Sequence, residues 1–130
     1  MVLSRDAGVG KSAITTDVMA VSQHFMAWVC GPKLNNHFLY YVLQQMKPRF
    51  EHIATGNTIK TIGLPYFKAL MVPIPARDEQ DQIASALTAV DLRTFEEGSV
   101  LNARRAVKSA LMSVLLTGKI RVSPDEAAAA

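Results

Sequence analysis

The spacing of hydrophobic residues changes abruptly near residue 77. Ahead of it, apolar residues come in short runs broken by turn formers. Behind it, they recur at spacings of three and four for about forty residues, the period of a helix. Short strands and one helix are expected first, then one long helix.

In the first part, Asp6-Ala7-Gly8-Val9-Gly10-Lys11 is turn material. Ala13-Ile14-Thr15-Thr16 reads as a short strand, because Ile and Thr suit a pleated surface. Phe25 to Cys30 reads as a second strand, ended by Gly31-Pro32. Asn35 or Asn36 suits an N-cap. Phe38, Leu39, Val42, Leu43 and Met46 then predict a helix over 36–47, with Pro48 ending it. Gly56-Asn57-Thr58 predicts a turn and Ile59 to Ile62 a strand. Pro65, read as a first helical position, predicts a turn or two of helix within 64–70. Met71 to Ile74 is expected to be extended, and Pro73 and Pro75 put it at a sheet edge.

The second part opens on Asp78, a candidate N-cap, with Glu79 and Asp81 where a helix dipole favours negative charge. Ile83, Leu87, Val90, Val100, Val107 and Leu111 form a spaced apolar stripe. No proline interrupts residues 78–117, so a helix of roughly 60 Å is expected, with Gly118 just past its end. A stripe that long needs a partner, most simply another helix packed alongside. Gly98 predicts a mild bend or a close helix crossing, and the alternative is a hairpin folding back near Glu97-Gly98-Ser99. Ser123 to Ala130 has no core residues and is expected to fray. The fold class is therefore α+β: a small mixed domain over 1–77, one long helix over 78–117 for coiled-coil pairing, and a tail over 118–130.

Charge sharpens the division. Residues 1–77 carry eight Lys/Arg against three Asp/Glu, whereas residues 78–130 carry six against eight. The first part has the field expected beside a phosphate backbone. Ordinary solvated charge is the alternative. No uninterrupted apolar run is long enough to span a membrane, and the N-terminus lacks a signal-peptide pattern. The lone Cys30 has no disulfide partner and is expected as a buried small hydrophobe in a reducing cytoplasm.

Catalytic chemistry finds little support. Gly8-Val9-Gly10-Lys11-Ser12 invites a phosphate-loop reading, but that motif needs glycine where Arg5 stands. His24, His37 and His52 lie at no metal-ligand spacing, so neither a metal nor another cofactor is expected. Asp78, Glu79 and Asp81 fit capping charge better than a metal nuclease. No nucleophile, base and oxyanion site assembles from the sequence.

Three segments carry a family resemblance. They are Gly56 to Ile62, then Val72-Pro73-Ile74-Pro75 with Glu79-Gln80 and Ile83-Ala84, then Leu115 to Val122. Phe38 to Leu43 ahead of the glycine turn also matches. In this order they resemble the specificity subunit of type I restriction-modification systems, over about residues 5–122, as its C-terminal part. The resemblance implies a non-catalytic protein with part of a DNA target-recognition domain and a conserved spacer helix. It implies double-stranded DNA and an adenine-methylating modification subunit as partners, with a restriction subunit as a further one. It also implies a second helix for pairing, supplied here by a homodimer or another chain. The candidate DNA contacts are Asn57, Thr58, Lys60 and Thr61, followed by Lys11, Ser12, Gln23 and His24. A fragment that dimerises or docks the methyltransferase without reading DNA is the alternative.

Overall fold

A computed structural model describes residues 1–122. The expected fraying of Ser123 to Ala130 lies outside the described residues. Over the described residues the chain is α+β: three short strands, three short helices and one long helix, in that order. It divides into two compact units, Met1–Thr88 and Ala89–Ala130.

The first unit is built on a small antiparallel sheet. Strand β1 (Val2–Ser4) lies at its centre, flanked by β2 (Ser12–Ala13) and β3 (Phe25–Ala27). Val2 pairs with both Ala13 and Ala27. The central strand went unpredicted, because three residues at the start of the chain give no measurable period. Both flanking strands are shorter than expected and stop before Ile14 and Trp28. Those two side chains instead pack against the core from irregular backbone.

Helix α1 (Asn36–Gln45) is capped by Asn35, whose Oδ1 accepts from the N–H groups of His37 and Phe38. The helix ends just ahead of Pro48, as expected, but the proline also opens a second helix that was not expected. Pro48 sits in the first turn of this helix, α2 (Lys47–Ile53), where a missing N–H costs nothing. Helix α3 (Leu64–Lys68) follows Gly63, with Pro65 second in the helix rather than first.

Two other expectations fail. Ile59 to Ile62 forms no strand; only Thr61 pairs, through single bridges to Asp6 and Thr55. Met71 to Ile74 joins no sheet edge, and Pro73 removes one donor from the middle of the segment.

The core joins all these pieces. Leu3, Leu43 and Phe50 are fully buried, with Leu39, Ile62 and Phe67 around them. Phe50, Tyr66 and Phe67 meet in tilted and edge-to-face contacts, and Trp28 adds an edge against Phe67. Cys30 is half-buried beside this cluster rather than within it.

Helix α4 (Arg77–Leu115) is continuous for 39 residues, which rules out a hairpin at Gly98. A Cβ added at Gly98 would meet nothing within 4 Å, so no close crossing is made there among the described residues. The helix starts one residue before Asp78, which lies in the first turn with Glu79 instead of capping it. The anchor is Gln80, a fully buried amide. Its Nε2 donates to the carbonyls of Lys33 and Pro75, and its Oε1 accepts from the Asn35 N–H. Every polar atom of that side chain is thus used, which is what makes its burial tolerable. Beside it, Asn35 Nδ2 and Arg77 Nε both donate to Asp81 Oδ1, and Arg77 also reaches the Pro32 carbonyl. These bonds hold the carboxyl of Asp81 below its ordinary 3.8, the Asn35 bond contributing most.

Past Leu115 the chain turns back at Gly118, whose φ of 71° is left-handed. That turn brings the Ile120 N–H onto the Val114 carbonyl at 3.2 Å.

Candidate nucleic-acid interface

Three loops of the first unit meet at Arg5. The first is the turn between β1 and β2, closed by Ser4 N–H on the Lys11 carbonyl and Gly10 N–H on the Ser4 carbonyl. The second leads into β3 through Ser22, Gln23 and His24. The third runs from Thr55 to Thr61, which exchange both main-chain hydrogen bonds at 2.8 and 3.1 Å. Arg5 bonds to two of them from within the first. Its main-chain N–H donates to the His24 carbonyl, and its carbonyl accepts from Ile62 N–H. Its guanidinium donates through Nε to the Ile62 carbonyl at 3.1 Å and through Nη1 to the Gln23 carbonyl at 3.3 Å. Asp6 adds a side-chain bond to His24 Nδ1 at 2.5 Å.

Two glycines make this convergence possible. Gly56 has φ 127°, and a Cβ there would lie 2.3 Å from the Ile59 carbonyl oxygen. Gly10 has φ 81°, and a Cβ would lie 2.9 Å from the Cγ of Lys47. The turn therefore presses its backbone on the start of α2.

The convergence brings together some expected contacts and not others. Lys11, Thr58 and Lys60 line one open depression of 640 Å³. Lys11 also lines a neighbouring one of 410 Å³ with His24. Asn57 is exposed in the third loop. Gln23 is exposed as well, with its carbonyl held by Arg5. Ser12 and Thr61 belong to the frame: the Ser12 hydroxyl accepts from Gln44 Nε2, and Thr61 is held by main-chain pairing. The sequence reading missed Arg5 and Lys47. Arg5 entered it only as the residue that breaks a phosphate loop, and Lys47 only as a helix end. Nothing in local spacing signals that residues 5, 23 and 62 share one guanidinium.

The helical contacts expected on α4 divide between the units. Ile83 is half-buried and, with Leu87, lines a groove beside Phe38, Tyr41 and Val42 in the first unit. In the second unit Val90, Val100, Val107 and Leu111 are 50–61% exposed. Phe95, not anticipated, is 75% exposed. At 100° per residue it lies about 140° round the helix from Val100. Exposed apolar surface therefore occupies more than one side of this part of α4.

Among the described residues, no group of three or more His, Cys, Asp or Glu side chains is placed to hold a metal ion. No described helix is long and apolar enough to cross a membrane.

Polar and basic loops drawn onto a small sheet precede a long helix with exposed apolar side chains. The chain belongs to the family of type I restriction modification DNA specificity domains, which matches residues 1–101. It is 33% identical over 94 residues to the MjaX type I restriction enzyme specificity subunit of Methanocaldococcus jannaschii, covering 69% of this chain and 21% of the relative. A second subunit of that organism, MjaVIII, is 28% identical over 96 residues, covering 69% and 22%. A type I specificity subunit of Mycoplasma pneumoniae is 33% identical over 82 residues, covering 62% and 22%. The chain spans about a fifth of the length of these relatives.

Proposed function

We propose that the chain is a DNA sequence-recognition and assembly module of a type I restriction-modification complex. In this reading residues 1–77 contact double-stranded DNA and residues 78–117 form the spacer. The observation that carries it is the convergence of three loops on Arg5, within a family named for DNA specificity. Asn57 and Thr58 reach base edges, while Lys60 and Lys11 contact phosphate. The long helix positions a modification subunit that methylates adenine, and through it a restriction subunit. A second copy of the helix covers the exposed side chains of α4, making a homodimer. The module itself performs no chemistry.

Duplex DNA binding measured by fluorescence anisotropy across a salt series tests the DNA part. Lys60→Ala should weaken binding and lower the slope of log affinity against log salt by about 0.9, the contribution of one phosphate contact. Unchanged affinity and slope would remove Lys60 from the interface. Light scattering of the chain with its modification subunit tests assembly, and two species that stay separate would argue against it.

A further inference from the structure

The depression lined by Lys11 and Lys60 has a third cation that the proposed DNA contacts do not use. Lys47, the first residue of α2, lines it as well. The three lysines come from the first turn, from the third loop and from α2. They are brought together by the fold and not by sequence neighbourhood. One carboxylate faces them: Glu51, whose Oε1 lies 3.6 Å from Lys47 Nζ, one helical turn on. The remaining lining side chains are small or uncharged, among them Ala7, Ala54 and Thr58. Three cations against one anion leave a local excess of two positive charges, close to the +3 of the entire chain.

The backbone is arranged to keep Lys47 there. Gly10 approaches so closely that a Cβ would fall 3.3 Å from Lys47 Cα and 2.9 Å from its Cγ. Across the turn, the Lys11 stem lies over Gly8, where a Cβ would sit 3.3 Å from its Cδ. Both ammonium stems are thus laid along glycine backbone at the rim of the same depression. Glycine is required at position 10 by its positive φ as well as by this contact.

We infer that Lys47, Lys11 and Lys60 together seat a single phosphodiester group of bound DNA, and that Glu51 holds Lys47 in the absence of DNA. The inference rests on the DNA reading above and adds a contact from α2 to it. A phosphodiester suits the site because it is a compact monoanion with two free oxygens, and lysine binds phosphate as a point charge from any direction. The Lys47–Glu51 pair is solvent-exposed, so it is weak and readily exchanged for a phosphate partner.

The test measures duplex affinity across a salt series for the intact chain and three variants. Lys47→Met keeps the stem that packs on Gly10 and removes the charge. It should weaken binding several-fold at low salt and lower the salt slope by no more than about 0.9, the whole share of the one phosphate that the three lysines hold. Lys47→Arg should keep the slope. Glu51→Gln should strengthen binding at low salt, because a carboxylate leaves the phosphate's surroundings. Thermal melts of each variant check folding, and Lys47→Gln, which also removes the charge, serves if Lys47→Met does not fold. Duplex binding by the parent chain with both affinity and slope unchanged in Lys47→Met overturns this site and leaves the DNA reading standing. Inorganic phosphate as competitor separates the sources: competition at millimolar concentration marks a free-phosphate site and overturns the phosphodiester assignment. A parent chain that binds no duplex at low salt overturns both.

Discussion

Gly56 and Gln80 show how single positions hold this structure. At Gly56 the constraint is steric: positive φ combines with a carbonyl oxygen where a Cβ would stand. Gly56→Ala should cost about 1–3 kcal/mol, measured by denaturant unfolding. An unchanged midpoint would mean that the third loop relaxes without harm. At Gln80 the constraint is satisfaction of buried polar atoms, and its neighbour Asp81 makes the cluster pH-sensitive. The Asp81 carboxyl is held below its ordinary 3.8 by Asn35 and Arg77, so it is the charged form that favours the folded state. Its contribution is present above that ordinary value and is lost as pH falls through the lowered one. Asp81→Asn should therefore destabilise at pH 6 and progressively less towards pH 2. Parallel melting curves for parent and variant across that range would contradict this.

Among the elements, long periodic segments were the readable ones. Helix α1 and helix α4 were both evident from spacing, because each buries or displays apolar residues over several turns. The failures share a cause. β1 is three residues long, Ile59 to Ile62 pairs at one residue, and α2 starts where a proline reads equally well as a stop or a start. Each depends on distant partners and not on local preference. The same reason hid Arg5, whose bonds to Gln23 and Ile62 are long-range. Lys11, Thr58 and Lys60 were candidates because they stand in glycine turns, and His24 because it precedes an expected strand. At this scale α4 yields a sharp expectation. Val107 is 59% exposed, so Val107→Glu should change folding stability by less than about 0.5 kcal/mol. Under the proposed homodimer it should nevertheless reduce the mass seen by light scattering to that of one chain. A dimer that survives would place the contact elsewhere on the helix.

For the whole molecule, the described core lies within the first unit, as do all the candidate DNA contacts. A fragment of residues 1–88 should therefore melt cooperatively and keep duplex binding while losing self-association. A fragment that binds no DNA although folded would show that paired helices are needed for recognition. The manner in which the first unit holds its loops has a consequence for diversity. Arg5 grips the second loop by the Gln23 carbonyl and the chain just past the third by the Ile62 carbonyl, and the third is closed by main-chain bonds between Thr55 and Thr61. Carbonyls are the same whatever residue carries them. The side chains of Gln23, Asn57, Thr58 and Lys60 can then be exchanged without loosening the scaffold that displays them. Under the proposed DNA reading, such a module would acquire new preferences by a few substitutions at its loop tips, with the folding problem already solved.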